Sequence, residues 1–291
     1  LTLLLSLSLL ACKGPADTGD TADTGIESAD PAWGYDDADP DSLGPSYWAD
    51  AYPDCAGAEQ SPRDLDPWAL EGPSQGGTLA LDYGLTGLHA INNGHAIEYV
   101  IDAVEVEGDD VVRGGQLTID GVVYALKQLH FHSTSEHAVD GVTTDMEMHM
   151  VHESAAGDVA VLGVLIVSDA LVERPNLFVD ADSVVTQGDA ALRFHDALAL
   201  PVSEQTTDLG GELELDRWFQ VLQDGRFLHY QGSFTTPPCT QGVQWFIADS
   251  ALVVRVQDRD AFRQVYDGNN RPLQSNPNPV TATDGAGWGA D

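Results

Sequence analysis

The run LHFHSTSEH, residues 129–137, sets His130 and His132 one residue apart and follows them with Glu136 and His137. A second run, MEMHMVHE at 146–153, places Glu147 two residues before His149. Successive side chains of a strand point to opposite faces. An extended 127–132 therefore carries Gln128, His130 and His132 on one face, with Leu129 and Phe131 on the other. An extended 146–151 carries Glu147, His149 and Val151 opposite Met146, Met148 and Met150. If the two strands are neighbours, three imidazoles converge. Three neutral imidazoles with an open fourth position describe a catalytic zinc site. Gln128 and Glu147 would then accept the remaining ring N–H of two ligands and fix their tautomers. A lone histidine is more often a satisfied structural side chain, and His89, His195, His229 and the methionine-face His152 read that way.

Strands must do the positioning. Strand-like runs dominate: TLALDY, HAIEYVIDAVEVE, GQLTIDGVVYALKQLHFH, DMEMHMVHE, VAVLGVLIVS and GVQWFIADSALVVRV, punctuated by Gly, Asp and Asn. DRDAFRQVYDG is the clearest helical signal, with Asp258 or Asp260 near its start and Gly268 beyond its end. The fold class expected is mainly β (α+β): a large, mostly antiparallel sheet with short peripheral helices.

The whole chain sets outer limits. It has 291 residues, 43% of them hydrophobic, and 12 basic against 47 acidic residues for a net charge of −35. Such a surface repels nucleic acid and anionic lipid, so neither is expected as a direct partner. The apolar run before Cys12 is too short to span a bilayer and fits a signal-peptide core. Leu9-Leu10-Ala11-Cys12 resembles a bacterial lipobox, in which the Cys is acylated; an ordinary secretory signal containing a Cys is the blander alternative. Lys13 next to it favours the outer membrane by analogy with lipoprotein sorting. The acidic segment that follows, with its near repeat of Ala-Asp-Thr-Gly, buries too little to offset ordering entropy and reads as a tether. The organisation expected is a signal and lipobox at 1–12, a tether at 13–32, one domain at 33–275 and a flexible tail at 276–291. Localisation follows as exported, periplasmic or at the cell surface, held by lipid rather than by a spanning helix.

Across 33–275 the chain resembles the alpha-class carbonic anhydrases, as an exported bacterial member. QLHFHSTSEH and MEMHMVHE are similar to that family's zinc strands, NNGHAIEYV to its proton-shuttle segment and YQGSFTTPPCTQGVQWFI to its substrate-pocket segment. NNRPLQ is similar to its C-terminal motif, and WGYDD, YW and QSP near the start also fit. The resemblance implies a large twisted sheet and the reversible hydration of CO2 to bicarbonate and a proton, by attack of a zinc-bound hydroxide with a histidine proton shuttle. It implies Zn2+ held by His130, His132 and His149, with Gln128, Glu147 and the Asn269 carbonyl behind them. Thr235 would accept a hydrogen bond from the hydroxide and donate one to Glu136. Val151, Val161, Phe234, Thr236 and Trp245 would line the CO2 pocket, and Phe234, where many relatives carry Leu, would narrow its mouth. Tyr35 and Asn93 would organise the water chain to the shuttle, His95. Primary sulfonamides and anions would inhibit. Cys55 and Cys239 occupy positions where secreted relatives form a disulfide, which could stabilise the fold by about 5 kcal/mol on a chain-entropy model.

Two other readings compete. His-x-His followed by Glu four residues later also fits a cupin, with Glu136 as a ligand to Fe or Mn, although the cupin's second motif is not visible. A metal-free binding module of the same fold would ordinarily have lost a zinc histidine, and all three are present here.

Overall fold

The computed structural model describes residues 32–66, 79–101, 114–169, 194–215 and 225–286. The strands in chain order are β1 (Asp64–Leu65), β2 (Leu79–Asp82), β3 (Leu85–Asn92), β4 (Ile97–Val100), β5 (Gln116–Ile119), β6 (Val122–His132), β7 (Ala138–Val139) and β8 (Val142–Thr143). They continue as β9 (Met146–Ser154), β10 (Val159–Asp169), β11 (Thr207–Glu214), β12 (Arg226–Ser233), β13 (Gln241–Ala248), β14 (Leu252–Arg255) and β15 (Thr281–Ala286). Helices are short: α1 (Trp48–Ala51), α2 (Phe194–Leu198) and α3 (Val256–Val265).

Among the described residues, twelve strands form one sheet in the order β11-β3-β4-β6-β5-β2-β15-β12-β13-β10-β14, with β9 between β6 and β10. Pairing is antiparallel except for β10 with β13 and β14, and β15 with β2. The expected large, mostly antiparallel sheet with few helices is therefore present. β6 carries β4 and β5 along one edge and β9 along the other. The two histidine strands are neighbours.

The alternation in β6 and β9 divides two environments. Leu129, Phe131, Met146, Met148 and Met150 face the main core, where Phe194 of α2 and Phe262 of α3 cover them. Each such side chain, fully buried, contributes about 1.5–3 kcal/mol. The opposite face of β9, β10 and β13 carries Val151, Val161, Trp245 and Ile247 in a second apolar cluster. Close approach on this face needs a residue without a side chain: a Cβ at Gly163 would lie 2.5 Å from Ile247 Cδ1 and 3.0 Å from Glu147 Oε1.

One expectation is corrected. The tail does not begin at 276, because β15 sits inside the sheet between β12 and β2, with Val280, Thr281 and Thr283 buried. Its polar composition hid a strand whose apolar neighbours come from elsewhere in the chain. The helix read at DRDAFRQVYDG is α3, which starts after Arg255 with Asp258 near its start. Asp258 is buried there and accepts hydrogen bonds from Arg255. Cys12 and the acidic tether up to residue 31 lie outside the described residues, as do residues 102–107 of the expected HAIEYVIDAVEVE strand.

Candidate active site

His130 lies opposite His149 across β6 and β9, and His132 opposite Glu147. Each of the three rings is held through one nitrogen. His130 Nδ1 donates to Gln128 Oε1 at 2.7 Å, His132 Nδ1 to the Asn269 carbonyl at 2.6 Å, and His149 Nε2 to Glu147 Oε1 at 2.9 Å. These acceptors have no proton to give, so the N–H sits on the named atom. A lone pair then remains on Nε2 of His130, Nε2 of His132 and Nδ1 of His149. One ligand atom from each residue lies within 4.8 Å of the others.

Burial fits a metal better than a proton. His132 Nε2 and Glu136 Oε2 are buried with no hydrogen-bond partner. Desolvation, then mutual repulsion with His132 and His149, drives the His130 pKa well down, and burial brings His132 to about 4. Desolvation lowers His149 too. Three imidazoles that resist protonation and carry unshared lone pairs suit a borderline-soft divalent cation such as zinc. A second group, His137, Glu147 and His149, is also close enough to hold an ion. Its atoms are already committed: His137 bonds Glu147 Oε1 at 2.7 Å and the Tyr230 hydroxyl at 2.6 Å. Burial alone would raise the Glu147 carboxyl, but His137 and His149 pull it well below the usual range.

Glu136 is buried beside the rings, with Oε2 at 3.6 Å from His132 Nε2 and 3.9 Å from His149 Nδ1. Its Oε1 accepts the Arg271 backbone N–H at 2.8 Å. Burial pushes its pKa up to about 7, against the pull of His149, that N–H and Thr235. Thr235 belongs to a loop braced by the Cys55–Cys239 disulfide, whose cysteines are 184 residues apart. Cys239 donates its N–H to the Thr236 carbonyl at 2.8 Å. Val151, Val161 and Trp245 form one row across β9, β10 and β13, and Phe234 packs against their cluster. The Trp245 ring centre is 4.8 Å from that of His149, so the apolar wall abuts the ligands. Thr236 is half-buried on the same loop.

His95 lies on the turn between β3 and β4. Asn93 Oδ1 accepts its N–H at 2.9 Å, and Asn93 Nδ2 donates to Glu98 Oε1 at 2.7 Å. The His95 ring stacks on Trp33 with centroids 3.7 Å apart, and partial burial lowers its pKa. Burial, then the charges of Glu136 and Glu98, keep the Tyr35 hydroxyl protonated, which places Tyr35 in the same electrostatic neighbourhood.

The sequence model described as eukaryotic-type carbonic anhydrase matches residues 43–285. The chain belongs to the alpha carbonic anhydrase family. A carbonic anhydrase of Nostoc sp. is 31% identical over 249 residues, covering 83% of this chain and 82% of that protein. The alpha carbonic anhydrase of Thermovibrio ammonificans, solved with the inhibitor sulfanilamide, superposes with a TM-score of 0.66 at 27% identity, covering 86% of this chain and 99% of that one. Dioscorin, solved with ascorbate, superposes with a TM-score of 0.67 at 28% identity, covering 87% and 98%.

Family membership sets the cupin alternative aside. It also frames the residues that sequence reasoning missed in this carbonic anhydrase. Glu98 lies opposite His130 across β4 and β6. Tyr230 joins His137 to Ser61 Oγ at 2.9 Å, and the Arg271 guanidinium binds Gln60 Oε1, the Ser61 carbonyl and the Cys55 carbonyl. Alternation shows which face a residue takes, but not which distant strand it meets. The QSP and NNRPLQ motifs already contained Ser61 and Arg271, without a partner for either.

Proposed function

We propose that the chain hydrates CO2 reversibly to bicarbonate and a proton at a zinc ion held by His130, His132 and His149. The observation that carries this is the convergence of three imidazoles, each hydrogen-bonded through its other nitrogen and resistant to protonation. When bound, zinc supplies a Lewis acid that lowers the pKa of a coordinated water to about 7, a magnitude known from carbonic anhydrase itself. Gln128, Glu147 and the Asn269 carbonyl hold the ligand rings in the required tautomers. Thr235 acts on the Glu136 carboxyl; with its hydroxyl proton turned there, what it would offer on its other side is a lone pair. That selects a hydrogen-bond donor beside the rings and orients it. CO2 is small, neutral and weakly polar, and the wall of Val151, Val161, Phe234 and Trp245 suits it better than a charged clamp would. His95 carries the product proton outward, with Tyr35 and Asn93 ordering the path. A group of unperturbed pKa near 6.5, lowered by partial burial, is suited to pass protons to buffer.

Export belongs to the same proposal, with lipid on Cys12 as the anchor. It is supported by the lipobox-like Leu9–Cys12 run and by the disulfide, a bond that persists in oxidising compartments. No helix among the described residues is long and apolar enough to cross a membrane. Because the Thermovibrio enzyme was solved with sulfanilamide, primary sulfonamides are proposed to inhibit here as well.

Stopped-flow CO2 hydration with and without a chelator, alongside metal analysis, tests the assignment. Purified protein is expected to hold about one zinc per chain. His149→Ala is expected to lose zinc and hydration together. Full activity in a zinc-free His149→Ala protein, or an iron centre bound through Glu136, overturns it.

A further inference from the structure

We infer that the side-chain amide of Asn269 is a positioning residue for proton transfer, tying the His95 turn to the metal strand. The inference rests on the reading of His95 as the shuttle. The Asn269 backbone carbonyl is already occupied by His132 Nδ1. Its side chain has separate business. Oδ1 accepts the Ser133 N–H at 2.9 Å, while Nδ2 donates to the Phe131 carbonyl at 3.1 Å and to the His95 carbonyl at 3.2 Å. One amide, 3% exposed, thus grips the backbone on both sides of His132 and the backbone of His95.

The turn needs such a tie. Gly94 adopts φ +89°, and the turn closes on itself through Asn93 Oδ1, which takes the N–H groups of both His95 and Ala96. Those bonds shape the turn but do not set how far it stands from the ligands. Asn92, one end of it, is held by Leu200 and Tyr266, which lie just past the ends of α2 and α3. The Asn269 bond runs from the shuttle residue itself to the segment carrying two ligands. Every acceptor it serves is a main-chain carbonyl, so no ring conformation of His95 disturbs it. If the tie is lost, the turn can shift while the Trp33 stacking and the proton path lose their alignment. A misplacement of about 1 Å can cost as much as ~10²-fold in a reaction that depends on orientation.

Asn269→Ala and Asn269→Asp separate this role from the carbonyl's, which both retain. The Asp variant keeps an acceptor for Ser133 and lacks the donor for His95, so it decides the matter if the Ala variant does not fold. Rates are normalised to zinc content. Both variants are expected to lower kcat in dilute buffer by about tenfold, several-fold more than kcat/KM, and imidazole buffer is expected to restore most of the loss. NMR of nitrogen-labelled histidine is expected to show the His95 resonances shifted out of the Trp33 ring current. Parallel losses in kcat and kcat/KM without imidazole rescue overturn the inference, because Asn269 would then act on the metal alone. An unshifted His95 signal in the Asp variant overturns it whatever the activity. If the wild-type protein hydrates no CO2, the proposed function fails, and the NMR arm still decides whether Asn269 holds the turn.

Discussion

His95 is half-buried, flat against Trp33, and a histidine beside a glycine in a turn would ordinarily be called a surface residue. Under the proposed shuttle role, His95 works after the chemical step. His95→Ala is therefore expected to lower kcat in dilute buffer by about 10-fold or more while sparing kcat/KM, which reports events up to bicarbonate release. Small imidazole buffers are expected to restore it. Equal losses in both constants would instead assign His95 to shaping the site. At this scale much was legible. The candidate triplet followed from strand alternation once the two strands are paired: His130 and His132 share one face of β6, His149 takes the matching face of β9, and Gln128 and Glu147 stand two residues before His130 and His149. Glu98 was not legible. It stands between the inward-facing Ile97 and Tyr99, and only the pairing of β4 with β6 brings it opposite His130.

Elements position these residues through contacts that a local reading does not reveal. β9 and β10 were recognisable from their apolar rows, whereas β3, β11 and β12 carry Gly, Thr and charged residues and draw their stability from neighbours. β15 is the extreme case. Its Thr281 and Thr283 are buried, and it gives β12 and β2 an inner neighbour each. Thr283 lies opposite Phe227, a fully buried core residue of β12. Thr283→Pro removes a backbone donor in the middle of a sheet, where proline is found essentially only on edges and at bulges. It is expected to lower the melting temperature by several degrees, as a loss of about 1 kcal/mol or more would in a domain of this size. A melt that superimposes on the wild type would show that the strand contributes nothing to stability.

The whole molecule combines a net charge of −35 with an interior whose burial lowers the pKa of several histidines. The two features oppose each other in acid. Falling pH protonates surface carboxylates and relieves their repulsion, while each histidine that stays neutral in the fold makes the folded state worse at binding protons than the unfolded one. His152 isolates the second effect, because it lies on the core face of β9, remote in role from the ligands. It is fully buried, with a ring nitrogen 2.9 Å from the Tyr83 hydroxyl. Burial lowers its pKa from 6.5 to about 3, although the carbonyls of Ala160 and Met150 pull the other way. Above pH about 6.5 neither state takes up the extra proton, and the contribution is whole. As pH falls from there toward 3, the unfolded chain alone is protonated, so stability drains by up to about 1.4 kcal/mol per pH unit. His152→Gln removes that titration and keeps a polar partner for Tyr83. Urea unfolding of both proteins between pH 7 and pH 4 is expected to show their free-energy difference constant near neutrality and shifting steadily in favour of the variant below 6.5. Subtracting one curve from the other cancels the surface carboxylates and the ligand histidines, which the two proteins share. Parallel curves across the whole range would mean that His152 takes up its proton in the folded protein as easily as in the unfolded chain.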